Sequence, residues 1–268
     1  MEIFPSDRVI YAHNPLAEVV CQIRFERLSE DFFEAIKRFQ VEFAAKEYPD
    51  YREEETLGFS VQIAEGNVAQ PTKIPALKIL HNSTTDGVWR LSVCSEFLAL
   101  TCTKYTSWNE FLPRMQECAD AFSNYCKAAN TTRLGLRYRD VIEREPLNLA
   151  GTPWHELIRP FLLGPLSPVA LNDLAPPEED VGSFISQATL RLNDCSLLLQ
   201  GSLLTSVDGD TRAFLIDGDF FCEGNVDGDI LSNKTNLAAS LELLHNNAGV
   251  LFRRCITEKL HNALGPRL

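Results

Sequence analysis

Along residues 19–25, VVCQIRF, apolar and polar positions alternate: Val19, Cys21, Ile23 and Phe25 fall on one side, Val20, Gln22 and Arg24 on the other. Such period-two alternation predicts a strand with one dry face. The period then changes. Ser29 offers an N-cap, Glu30 and Asp31 suit the positive end of a helix dipole, and Phe32, Phe33, Ile36, Phe39, Phe43 and Ala44 make one helical stripe. A helix is predicted from there to about Tyr48, before Pro49. β-rich runs follow at 57–64, 76–82, 88–94 and 97–105, with Asp86-Gly87 as a hairpin signal between the second and third. Ser107 and Glu110 read as a capping box opening a second helix, striped by Trp108, Phe111, Leu112, Met115, Ala119, Phe122 and Cys126. Pro113 implies that this helix starts near Asn109 or is kinked.

The second half repeats the order. RLGLRYRDVI, 133–142, alternates again, and WHELIRPF predicts a short helix after Thr152-Pro153. Strands are predicted at 184–193, 195–205 and 212–222. A long helix from about 235 to 264 should follow, seamed by Leu237, Leu241, Leu244, Ala248, Leu251 and Cys255 and stopped by Gly265-Pro266. Each opening strand carries an aliphatic-Arg-aromatic triplet, Ile23-Arg24-Phe25 and Leu136-Arg137-Tyr138. The expected fold is therefore α+β, a tandem duplication of a β-α-β(3–4)-α unit over 1–130 and 131–268. Its antiparallel or mixed sheets should be covered by the long helices, the halves packed as one unit. Residues 146–177 hold seven of the fourteen prolines and predict an irregular excursion or lid.

Composition narrows the function more than the fold. A hydrophobic fraction of 45% with 23% charged residues is ordinary for a globular chain. A formal charge of −12 argues against general nucleic-acid binding, which depends on neutralising phosphates, and against anionic membranes. The N-terminal MEIFPSDRVIYAHNP lacks an apolar h-region, and no apolar run has the length of a spanning helix. A cytoplasmic location is expected, and in a chain of this size without an export signal the eight scattered cysteines, which include no CxxC pair, read as reduced and mostly buried.

Residues 208–229, DGDTRAFLIDGDFFCEGNVDGD, contain three Asp-Gly-Asp triplets. An EF-hand needs oxygen ligands at alternate positions, but Arg212 occupies the fifth position counted from Asp208, and Phe221 the fifth from Asp217. Asp208-Gly209-Asp210 reads as a turn and Asp227-Gly228-Asp229 as a loop. The middle triplet has strand periodicity: Phe214, Ile216 and Phe220 point inward, leaving Asp217 and Asp219 together on the other face. That face is either a wet strand surface or a carboxylate pair for Mg²⁺, Mn²⁺ or a basic partner. Gln22, Arg24, Arg137 and Arg139 also stand off the apolar faces. If the halves share a sheet, these four with Asp217 and Asp219 form a polar groove, either an anion site or a structural salt bridge from Arg137 to one of the aspartates. His155-Glu156 begins like a zinc-protease helix, but Arg159 stands where the second His is needed. No GxSxG, GxxxxGK[ST] or helix-opening GxGxxG occurs. His245 reads as a packed or capped histidine, and Tyr138 as a core residue rather than a platform for nucleic-acid bases.

The blocks NPLAEVVCQIRF (14–25), KYTSWNEFLPRM (104–115), RLGLRYRDVI (133–142), FLIDGDFF (214–221) and LLHNNAGVLFRRCITEKL (243–260) resemble a prokaryotic family described as sporadically distributed, with chains of similar length. The family has no agreed activity, and its patchy distribution implies accessory genes linked to defence or mobile elements. The matching positions in the first half are Asn14, Pro15, Glu18, Gln22, Arg24 and Trp108. In the second they are Gly135, Arg137, Tyr138, Asp217 and Asp219, then His245, Phe252 and Thr257. Asp140 stands where the family commonly has Asn, and Pro113 is a second departure. The expected function is a non-enzymatic binding or interaction protein, without cofactor, taking a small anionic ligand or a protein partner in the Arg/Asp groove. An alternative is a metal-dependent phosphoesterase or nucleotide-processing enzyme, with Mg²⁺ or Mn²⁺ on Asp217 and Asp219 and phosphate on Arg24 and Arg137. A third is an acidic inhibitor or immunity-type partner of a basic protein.

Overall fold

The two opening strands lie side by side at the centre of one sheet. A computed structural model of the chain describes residues 9–29, 32–61, 71–126, 130–168, 176–206, 211–224, 230–231 and 233–267. The Asp-Gly-Asp triplets at 208–210 and 227–229, and residues 62–64 of the first predicted β run, lie outside these. The strands are β1 (Ile10–Tyr11), β2 (Leu16–Phe25), β3 (Asp50–Val61), β4 (Pro71–Ser83), β5 (Trp89–Val93), β6 (Phe97–Cys102), β7 (Thr131–Glu143), β8 (Ile185–Arg191), β9 (Ser196–Thr205), β10 (Arg212–Glu223) and β11 (Pro266–Arg267). Nine form an antiparallel sheet in the order β3-β4-β5-β6-β2-β7-β10-β9-β8, while β1 pairs with β11. The architecture is thus α+β, with antiparallel pairing throughout the sheet. Cys21 faces Leu136 and Ile23 faces Leu134 across the central pair, so the dry faces of both opening strands coincide.

The helices are α1 (Phe32–Phe39), which passes through a π turn (Gln40–Ala44) into α2 (Ala45–Glu47), then α3 (Trp108–Tyr125), α4 (Pro160–Leu163), α5 (Lys234–Cys255) and α6 (Glu258–Ala263). They pack on the dry face. Phe122 of α3 stacks on Phe25 of β2 at 5.3 Å and meets Phe39 of α1 edge-on at 5.4 Å. The predicted α5 seam is buried at every position. Phe33 is a correction: it is exposed, with the Lys37 ammonium over its ring, while Ile36 and Phe39 of the stripe are buried.

Three further local expectations change. Helix α3 begins at Trp108 and runs through Pro113. Ser107 makes no side-chain cap bond; Glu110 turns instead to accept from the Thr106 hydroxyl, so no capping box forms. The last helix is not continuous to 264. Ile256 leaves helical geometry to bridge Ile158, and the Thr257 side chain caps α6 by accepting from the Leu260 amide. The break is held by the Pro-rich segment: Arg159 N donates to Cys255 O at 2.8 Å, and Thr257 N to Leu157 O at 2.9 Å. The described part of that segment is therefore anchored, with Trp154, Leu157, Ile158, Leu162 and Leu163 buried.

Its anchorage depends on a missing side chain in β9. A Cβ at Gly201 would stand 3.0 Å from the Leu162 carbonyl and 3.2 Å from the Phe214 ring. Backbone cannot swing aside as a side-chain tip can. Gly201→Ala should lower stability by about 1–3 kcal/mol in urea unfolding, whereas unchanged stability would mean that α4 does not seat on β9 this closely.

Candidate functional site

Strand β7 carries opposite chemistry on its two faces. On the face away from the helices stand Arg133, Arg137 and Arg139. The register places Arg139 beside Glu18 of β2 and Asp217 of β10, and Arg137 beside Asp219. The ion pairs run partly on the diagonal. Arg137 donates through Nε (2.7 Å) and Nη2 (2.5 Å) to the two oxygens of Asp217. Arg139 Nη1 reaches Glu18 at 3.0 Å and its Nε lies 3.6 Å from Asp217, while Arg90 stands 3.8 Å from Glu18. Arg133 bends across Gly135, where a Cβ would collide with its head, to bind Asp219 at 2.7 Å.

Five of the six sequence-predicted site residues thus share a connected stretch of sheet. Gln22 faces Gly135, and Arg137, Arg139, Asp217 and Asp219 are ion-paired. Arg24 lies on the same face but opposite Arg133, exposed, and among the described residues it is paired with no aspartate. The wet strand face expected at Asp217 is a correction. Its side chain is only 4% exposed, beneath Arg137 at 45% and Arg139 at 37%. At Asp217 and Glu18 the carboxylates lie below and the guanidiniums of Arg137, Arg139 and Arg90 face outward, whereas Arg133 is itself mostly covered. Burial raises the Asp219 carboxyl above its ordinary range, opposed by Arg133, and the bond to Asp217 holds the Arg137 proton more firmly. Among the described residues, no group of three or more His, Cys, Asp or Glu is arranged to hold a metal.

Farther along the same face, His81 Nδ1 is 2.8 Å from Ser92 Oγ and its Nε2 is 3.3 Å from Glu54. This resembles a nucleophilic row, but Ser92 is buried and neither large cavity is lined by it. Burial also pushes up the thiols, Cys118 and Cys126 to about 12 and Cys195 to about 11, so none of these is an activated thiolate.

The helix-side face of β7 holds what the sequence reading missed. Tyr138 and Asp140 open into a cavity of about 430 Å³ between β1, the start of α3 and the middle of α5. That volume is within the range of small-molecule sites. Tyr11, Tyr105, Trp108 and Phe252 supply further aromatic wall. Trp108 stacks on His245 with ring centroids 4.0 Å apart and 11° between planes, and its Nε1 donates to Glu242 at 2.6 Å. The Tyr138 hydroxyl lies 2.6 Å from His245 Nδ1. His245, read as a packed histidine, is buried and also part of a cavity wall.

Asp140 differs from every acid on the other face. It is 8% exposed, lines the cavity, and among the described residues no hydrogen-bond donor or cation pairs with its carboxyl. Burial, with a smaller contribution from the negative charge of Asp217, pushes its carboxyl up to about 7. Arg253 also lines the cavity but is paired with Glu258. The signal for this site was present in the alternation: Leu134, Leu136, Tyr138, Asp140 and Ile142 share one parity, and Asp140 is the charged member of an inward-facing set. A larger cavity of about 670 Å³ surrounds Arg144, Trp154 and Glu178, but there Arg144 is paired with Glu178 at 2.8 Å and lies over the Trp154 ring.

No known family profile matches the chain, and no curated protein matches it. Among solved structures it is similar to the S. pombe Pct1 RNA triphosphatase, solved in complex with the Spt5 CTD. That comparison has 7% identity and a TM-score of 0.15, covering 91% of this chain and 85% of that one. A likeness at that score carries no argument about fold or chemistry. Among the described residues, no helix is long and apolar enough to cross a membrane.

Proposed function

We propose that this chain is a non-enzymatic binding protein that takes a small ligand into the cavity walled by Tyr138, Trp108 and His245. The supporting observation is the Asp140 carboxyl, nine-tenths buried and open to that cavity without a partner among the described residues. Burying an acid without compensation is unfavourable for folding, and such groups concentrate at functional sites. Ala248 also lines the cavity. In ligand-detected NMR, single-ring aromatic probes (benzylamine, benzyl alcohol and benzoate) should include at least one binder. Its signal should be lost in Ala248→Met, whose flexible chain fills the space. Binding that persists unchanged in the filled variant would contradict the reading.

The outward guanidiniums favour a second site on the opposite face. There Gln22, Arg24, Arg137 and Arg139 would meet a small anionic ligand or an acidic protein surface, with Asp217 orienting Arg137 and Arg139 and Asp219 holding Arg133 beside them. Phosphate should then raise the melting temperature, and Arg139→Ala should remove that effect. The metal-dependent phosphoesterase reading has less support, because both Asp217 oxygens are already engaged by Arg137. It would require stabilisation by Mg²⁺ or Mn²⁺ that disappears in Asp217→Asn. An inhibitor or immunity-type role would instead use the net charge of −12.

The strand order supports descent from a duplicated unit. Within the nine-stranded sheet, the last strand of each half, β6 and β10, returns beside that half's first, β2 and β7, the remaining strands run outward, and a long helix follows. The resemblance to the sporadically distributed family supports an accessory role in a prokaryote, and the composition of the chain a cytoplasmic one.

A further inference from the structure

We infer that the ligand of the Tyr138 cavity carries an organic ammonium group that ion-pairs with Asp140 against an aromatic wall; this rests on the reading of that cavity as the binding site.

The charge inventory supports this. The cavity wall holds one acid without a base among the described residues, Asp140, while its one arginine, Arg253, is already engaged by Glu258. His245 is engaged by Tyr138 and by stacking on Trp108. An ammonium group would supply the missing partner, whereas a neutral ligand would leave the acid uncompensated and a carboxylate would add to the repulsion. The rings act in the same direction. Tyr11, Tyr105, Tyr138 and Phe252 also line the cavity, Trp108 being stacked on His245, and aromatic rings attract cations rather than anions through their faces. Small size follows from a volume of about 430 Å³.

The groups around Asp140 do not provide an internal substitute. Tyr11 of β1 and Cys255 of α5 feel its charge, and burial raises both of their ionisations, so each stays neutral near pH 7. Asp217 of β10 adds negative charge from behind the sheet. Tyr138 stands two residues along the same strand, His245 and Arg253 come from α5, and Glu258 from α6 holds Arg253. Since burial pushes the Asp140 carboxyl up to about 7, ammonium affinity should fall as pH drops below that point, where the acid takes up a proton in competition with the ligand.

The test uses the full chain and three isosteric probes, 2-phenylethylammonium, 2-phenylethanol and phenylacetate, measured by calorimetry and by Trp fluorescence around pH 8. The ammonium should bind about 10- to 100-fold more tightly than the alcohol, the scale of a hydrogen bond to a charged group. Asp140→Asn, an isosteric change that relieves a buried charge and so should not unfold the chain, should erase that preference while still admitting the alcohol. Equal binding of alcohol and ammonium would overturn the cation inference and leave the cavity reading standing. Preference for phenylacetate would overturn it too, with Asp140 acting as a protonated donor. Failure of all three probes at millimolar concentration, with fluorescence unmoved, would overturn both readings together.

Discussion

Asp140→Asn should raise the unfolding free energy around pH 8 by about 2–4 kcal/mol and leave it nearly unchanged near pH 4. The folded carboxyl is pushed from an ordinary value of 3.8 to about 7 by burial, with Asp217 adding to the effect. The native state therefore keeps this proton to a higher pH than the unfolded chain does. Stability relative to the Asn variant is unimpaired below the unfolded value of 3.8, falls as pH rises between 3.8 and about 7, and levels off above. A shift of that size corresponds to about 4 kcal/mol at full burial, and solvent entering the cavity lowers it, which sets the range. Comparing wild type with the variant at each pH by urea unfolding cancels the other titrating groups. A difference that is flat from pH 4 to pH 8 would mean that the carboxyl is solvated or paired in the folded chain.

Arg137→Ala should be the most damaging single change on the opposite face, lowering stability by about 2–4 kcal/mol. It removes a two-pronged donor from Asp217, whose side chain is 4% exposed, and leaves Arg139 Nε at 3.6 Å as the nearest remaining cation. The figure lies below that for a fully buried pair, because Arg137 itself is 45% exposed and part of its attraction is screened by water. Replacing both partners with leucine should recover most of the loss, since no charge is then stranded. A double-mutant cycle measures this coupling directly. Should Arg137→Ala cost no more than a few tenths of a kcal/mol, the ladder would be a surface ornament rather than the brace between β7 and β10.

The central strands were legible in the sequence because their apolar residues recur at alternate positions. Val19, Cys21, Ile23 and Phe25, and later Phe214, Ile216 and Phe220, bury as their parity implies. That parity also brought Arg137 and Asp217 to the same face, which only adjacency of β7 and β10 could turn into a contact. Local competition was not legible. Glu110 could cap Ser107 or accept from Thr106, and the sequence does not say which geometry the turn adopts. The break at Ile256 is a long-range effect, fixed by Ile158 nearly a hundred positions away. The cavity escaped for a related reason. Tyr138, Trp108 and His245 each look like core residues alone, and only the packing of α3 against α5 over β7 assembles them into a wall. Asp140 was the residue that should have drawn notice, a charge on an inward parity.

Ligand binding in the cavity depends on that carboxyl standing there uncompensated. The most direct measurement is an NMR titration of the Asp140 side-chain carboxyl carbon in the intact chain, with Asp140→Asn identifying the resonance. A midpoint near 7 is expected, moving downward when 2-phenylethylammonium is added, because a cation favours the ionised form. A midpoint at or below 4, insensitive to the amine, would contradict it.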